Sequence, residues 1–156
     1  MKVYSEIVPC DTPAEEIAAK KPAALILSGG PASVYAEDAP SVDPGVFELG
    51  IPVLGFCYGQ QIMATTLGGS VGHTEKGEYG PAPLTRCDGT DGVPASALLG
   101  DTPAEQTVWM SHRDAVSEVP EGFVVTSKTD VCPVASMECA ERKLYATQFH
   151  PEVKHS

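Results

Sequence analysis

The chain has 156 residues, of which 42% are hydrophobic and 20% charged, and its formal net charge is −11. A chain of this size supports one domain over residues 1–156, with a core that buries roughly 68–70% of the unfolded surface. The acidic balance argues against nucleic acid as a partner, and no run approaches the ~18 apolar residues of a membrane span.

Residues 3–8 read as a strand. Thr12-Pro13-Ala14-Glu15 has the form of a capping box with proline at the first helical position, so a helix is expected to start there, turn Ile17 and Ala18 inward and stop near Lys20-Lys21. Residues 23–27 are continuously apolar and of strand length, which predicts a buried parallel strand. Ser28-Gly29-Gly30-Pro31 closes it with a tight turn whose backbone N–H groups can face a ligand. Residues 32–42 read as loop. Asp43-Pro44 opens a short helix through Phe47 and Leu49, which Gly50 ends.

Ile51-Pro52-Val53-Leu54 predicts another buried strand, and Gln60 to Leu67 the helix after it, stopped by Gly68-Gly69. The β-α-β-α-β-α order predicts an α/β fold with a mainly parallel central sheet flanked by helices. After Gly69 the pattern changes to short strands at residues 70–72, 79–85, 107–110, 122–127, 133–137 and 144–149, an added antiparallel region. Residues 95–99 allow a short helix between them.

The join between the strand ending at Leu54 and its helix is Gly55-Phe56-Cys57-Tyr58-Gly59. Gly-x-Cys-x-Gly at a strand-to-helix turn is the form of a nucleophile elbow, with the thiol at a helix N-terminus where the thiolate is favoured. A buried cysteine is more often a small hydrophobe, so a nucleophile requires a base. The last predicted strand supplies one: His150-Pro151-Glu152 puts an imidazole and a carboxylate two residues apart, on one side of an extended chain. Together these have the nucleophile–base–orienter chemistry of a triad. The other cysteines (Cys10, Cys87, Cys132 and Cys139) include no C-x-x-C pair, which argues against a disulfide framework or structural zinc and for a reducing, cytoplasmic location. His73, His112 and His155 match no common zinc spacing, so no metal site is expected.

Three segments together resemble the class I (triad) glutamine amidotransferases, whose core is flavodoxin-like: residues 27–35 around Ser28-Gly29-Gly30-Pro31, residues 53–61 around Cys57, and residues 148–153 around His150-Pro151-Glu152. Thr107-Val108-Trp109-Met110-Ser111-His112-Arg113-Asp114 and Cys132-Pro133-Val134-Ala135 are similar to the glutaminase-domain branch found in GMP synthases. The resemblance implies Cys57, His150 and Glu152 as catalytic residues, with the backbone N–H groups of Gly30 and Tyr58 as the oxyanion hole. It implies Gln61, Ser111 and His112 as the glutamine-binding wall. It further implies hydrolysis of glutamine to glutamate and ammonia through a Cys57 thioester, with no cofactor in this domain. The expected partner is an ATP-pyrophosphatase (synthetase) domain or subunit that uses ATP and Mg²⁺ to convert XMP to GMP.

Two departures from the family pattern stand out. Arg113 occupies a position that is more often glycine, which puts a bulky cation beside the expected wall. The pattern also carries a strand–helix unit ahead of the segment matching Val3 and a synthetase half beyond Ser156. An unpaired strand edge and an uncovered apolar face are therefore expected. The alternatives are a catalytically incompetent module that acts only as a binding partner, or another class I amidotransferase or γ-glutamyl hydrolase.

Overall fold

A computed structural model of the chain describes residues 3–89 and 92–154. The first helix, α1 (Ala14–Ala19), starts where expected but is capped differently. Thr12 Oγ1 turns back to Pro9 O (2.7 Å), and Pro13 occupies the N-cap position with no side-chain cap of its own. The orphan N–H of Ala14 is satisfied by Asp43 Oδ2, 2.9 Å away, whose other oxygen accepts from Gly45 N at 2.8 Å. One carboxylate thus caps both α1 and the 3-10 helix Pro44–Glu48. Ala14 and Ile17 form the buried face of α1, and Ala18 is exposed, contrary to expectation.

The two backbone N–H groups, Ala14 first, hold the Asp43 carboxyl below its ordinary value. A depressed folded-state pKa stabilises the fold above the unfolded value, and that contribution is lost as pH falls through the lower folded value. Asp43→Ala is expected to lower the melting temperature at neutral pH. It should also flatten the acid limb of the stability curve relative to wild type, measured by thermal melts across pH 2–6.

Seven strands form one sheet in the order β1-β2-β7-β6-β5-β3-β4. Here β1 is Leu25–Leu27, β2 Val53–Phe56, β3 Ser70–Arg86, β4 Glu105–Glu118, β5 Val124–Lys128, β6 Ser136–Cys139 and β7 Leu144–Thr147. The parallel part consists of β1, β2 and β7, and the remaining pairs are antiparallel. The α/β class is as expected, with a mixed sheet whose antiparallel portion is extensive. Two of the expected short strands are one long strand: β3 carries residues 70–72 and 79–85 on a single path, with a register irregularity between His73 and Glu78. Its partner β4 runs well past Met110 because Ser111, His112, Arg113 and Asp114 continue the alternation, with His112 and Asp114 on the buried face. Pro81 and Pro83 fit because β3 meets β5 only at Thr85 and Arg86, which leaves one edge of β3 without a ladder to break.

Residues 3–8 form no strand; Val3, Tyr4 and Ile7 are exposed, and the segment has no ladder partner among the described residues. No helix forms at residues 95–99: Ser96 Oγ accepts from Leu99 N (2.8 Å) and closes a single turn. The principal core packs Val53, Met63, Met137, Leu144 and Ala146 between the sheet and α2 (Tyr58–Thr66). Full burial of a side chain such as Met63 or Leu144 contributes about 1.5–3 kcal/mol. β1 is an edge strand, not the buried one expected, and Ile26 is 64% exposed on it.

Candidate active site

β1 and β2 are parallel and in register, Leu27 opposite Gly55, so the segments leaving their carboxyl ends emerge side by side. One segment is Ser28-Gly29-Gly30; the other is the turn at Cys57. Cys57 has φ 51° and ψ −105°, a backbone conformation that costs a non-glycine residue about 1–3 kcal/mol. The flanking glycines make the bend possible. A Cβ on Gly55 would lie 2.6 Å from Gly59 O, and one on Gly59 would lie 2.2 Å from Leu27 O. The turn is tied to the sheet by Cys57 N donating to Thr147 O (2.8 Å), and Tyr58 is anchored by its hydroxyl donating to Pro40 O (2.6 Å). This is the strand–elbow–helix arrangement read from the sequence.

His150 follows β7, the other neighbour of β2, and its backbone N–H donates to Trp109 O (3.0 Å). Its Nδ1 meets Glu152 Oε1 at 2.7 Å. The pair is made across a turn, not along extended chain as the spacing implied. Gly29 joins the two halves of the site: a Cβ there would stand 3.1 Å from His150 Cε1 and 3.5 Å from Cys57 Cβ. The imidazole and the thiol residue therefore converge on one point beside Gly29.

In this arrangement the Cys57 thiol donates to Ser111 O at 3.7 Å. Burial pushes the thiol pKa up, the Tyr58 N–H and the Gln148 amide oppose that, and the Glu152 charge reinforces it. Gln148, directly after β7, was not singled out as a site residue. It is fully buried, and among the described residues its Nε2 has no hydrogen-bond partner. An orphaned donor beside the sulfur is most useful when the sulfur carries negative charge. Gln148→Leu is expected to raise the Cys57 pKa further, so the pH profile of iodoacetamide alkylation, followed on the Cys57 peptide by mass spectrometry, moves to higher pH. An unchanged profile would refute a role for this amide.

A cavity of about 400 Å³ opens beside the thiol, lined by residues that include Gly30, Tyr58, Gln61, Ser111, His112 and Arg113. All the expected wall residues are thus brought together with the expected oxyanion residues. Gln61 is more constrained than its chemistry alone implies: Nε2 donates to Asp114 O (2.8 Å) and Gln148 Oε1 (3.1 Å). Both amide hydrogens are used, and what it can offer a ligand is its carbonyl oxygen. The His112 ring is also engaged, Nδ1 with Asp114 O and Nε2 with Glu78 Oε2, each at 3.0 Å. Asp114 and Ser33, missed as site residues, belong here as well. The buried Asp114 carboxylate accepts from Ser33 Oγ (2.8 Å) and meets His73 Nδ1, so it ties the loop after Gly30 to β3 and β4. Among the described residues no helix is long and apolar enough to cross a membrane.

A family model described as "Glutamine amidotransferase class-I" matches residues 1–156. A protein named GMP synthase (glutamine-hydrolyzing) from Streptomyces coelicolor is 57% identical over 155 residues, which cover 99% of this chain and 28% of that protein. The protein of the same name from Syntrophomonas wolfei is 52% identical over 156 residues, covering 100% of this chain and 29% of that one. The chain thus spans less than a third of the length of these curated relatives. The crystal structure of a Thermoplasma acidophilum protein, provisionally assigned as one subunit of a GMP synthase, is similar with a TM-score of 0.76 at 31% identity. That match covers 96% of this chain and 72% of the other.

Proposed function

The chain belongs to the class I glutamine amidotransferase family, and from that premise we propose that it is a glutaminase domain that supplies ammonia for GMP synthesis. The observation that carries the reading is the convergence of Cys57 and His150 on Gly29, with Glu152 on the far nitrogen of the imidazole.

Glu152 accepts a hydrogen bond from His150 Nδ1–H, which leaves Nε2 as the basic nitrogen. Because burial holds the Cys57 thiol protonated in the resting site, nucleophilicity depends on His150 removing that proton as glutamine arrives. The sulfur attacks the γ-amide carbon, and the N–H groups of Gly30 and Tyr58 receive the developing oxyanion, each such donor being worth roughly 2.7–4 kcal/mol of barrier. His150 returns the proton to the leaving nitrogen, and ammonia departs. Water, deprotonated by the same imidazole, then opens the γ-glutamyl thioester to glutamate and regenerates the thiol. Gln61 Oε1, Asp114 and the backbone near Ser111 hold the α-amino end of the substrate, an ammonium that suits acceptors.

The relatives named GMP synthase extend well beyond the region matched here. The proposed partner is accordingly an ATP-pyrophosphatase domain or subunit, which with ATP and Mg²⁺ would use the ammonia to aminate XMP. The test is glutamate release from glutamine by the purified chain, alone and with a GMP synthetase domain plus XMP, ATP and Mg²⁺. Glutamine-dependent GMP formation is expected. Release of glutamate without GMP would keep the glutaminase and remove the XMP assignment; no glutamate under either condition would leave only a binding module.

A further inference from the structure

We propose that Glu78, His112 and Cys132 form a binding site for a divalent transition-metal ion, with zinc the best match. One carboxylate oxygen, one imidazole nitrogen and one thiol sulfur lie within 4.8 Å of one another. They come from β3, from β4 and from the turn between β5 and β6, so no short sequence motif announces them. Glu78 and His112 are cross-strand partners, with Oε2 and Nε2 separated by 3.0 Å.

Each donor is aimed by a second group. His112 Nδ1–H donates to Asp114 O, 3.0 Å away, so Nε2, which faces Glu78 Oε2, is the nitrogen available to a metal once that contact opens. Thr129 Oγ1 donates to Glu78 Oε1 (2.7 Å), so Oε2 is the oxygen presented to the cluster. The same hydroxyl accepts from Cys132 N at 2.9 Å, which anchors the cysteine. The His112 and Glu78 side chains are 1% and 10% exposed and Cys132 is fully buried, so the site is secluded.

The donor set selects the ion. Thiolate and imidazole favour Zn²⁺ over Mg²⁺ or Ca²⁺, and three protein ligands with a water in the fourth position satisfy a tetrahedral ion. Binding releases the Cys132 proton and the proton between His112 Nε2 and Glu78 Oε2, and replaces the His112–Glu78 contact with two bonds to the metal. The dication then balances one carboxylate and one thiolate, and the buried site is neutral. His112 directly follows Ser111, whose carbonyl holds the Cys57 thiol, so an ion here would brace the strand beneath the nucleophile. None of this depends on the glutaminase reading.

The test uses Co²⁺ as a spectroscopic probe, in a Cys57→Ala background because the Cys57 thiol is a second sulfur donor nearby. One equivalent of Co²⁺ is expected to bind with a thiolate-to-cobalt charge-transfer band and intense visible bands of a tetrahedral ion, and Zn²⁺ should displace it. Adding Cys132→Ser should abolish the charge-transfer band and weaken binding at least tenfold, with the circular dichroism spectrum unchanged. Glu78→Gln, at the more accessible ligand, should weaken binding about tenfold and keep the band, so the proposal stays testable if Cys132→Ser fails to fold. No binding, a band that survives Cys132→Ser, or unchanged affinity in Glu78→Gln would overturn the proposal.

Discussion

Cys57→Ala is expected to reduce glutamine hydrolysis by on the order of 10⁶-fold in kcat, the scale seen when the nucleophile of a triad hydrolase is removed. The loss should come with little unfolding. The strained backbone at Cys57 is permitted by Gly55 and Gly59 and held by the Cys57 N to Thr147 O hydrogen bond, none of which alanine disturbs. What disappears is one buried sulfur with a long contact to Ser111 O, a change of about 1 kcal/mol. Glu152→Gln should fall less far. That side chain is 50% exposed, and solvent already screens its charge from the imidazole. The measurements are glutamate release and chemical denaturation of the same preparations. Wild-type turnover in Cys57→Ala would remove the nucleophile assignment outright.

Gly59→Ala is expected to have the largest effect on stability. The new Cβ would sit 2.2 Å from Leu27 O, 2.8 Å from Leu27 C and 2.9 Å from Leu27 Cβ. Two of those atoms are backbone, in a strand already paired with β2, so no flexible side chain can yield. Overpacking typically costs about 1–3 kcal/mol, and this site should lie at or above the top of that range. The helix start would have to lift away from β1, carrying Cys57 with it, and a displacement of about 1 Å can cost on the order of 10²-fold in rate. Gly30→Ala is the matched control: nothing lies within 4 Å of its added Cβ, and stability should stay within about 0.5 kcal/mol of wild type. Urea denaturation of the two variants side by side decides the matter; equal midpoints would show that the crossing at Gly59 is looser than these distances imply.

The elbow was legible because its constraints are local. A strand of four residues, two glycines and a cysteine between them leave the backbone few choices, and Cys57 adopts the unusual φ and ψ that the pattern implies. The His150–Glu152 pair was legible for the same reason, although the backbone that makes it is a turn. The cap of α1 was not legible. Thr12 and Glu15 have the right identities and spacing, yet the carboxylate that caps the helix is Asp43, from outside that segment. A local motif competes with any side chain the fold brings near, and here the distant one won. The strand expected at residues 3–8 failed because β structure needs a partner, which periodicity cannot supply.

The sequence by itself determined which residues are the candidates for the chemistry: the thiol, the imidazole, the carboxylate and the glycine turn are recognisable by type and spacing. The tertiary structure decided what each of them faces. It placed Gly29 between Cys57 and His150, used both amide hydrogens of Gln61 within the protein, left the Gln148 donor beside the sulfur, and gathered Glu78, His112 and Cys132 from three parts of the chain. The physical reason is range. Backbone conformation is set by neighbours along the chain, whereas hydrogen-bond partners, burial and charge are set by neighbours in space, which exist only once the sheet has assembled.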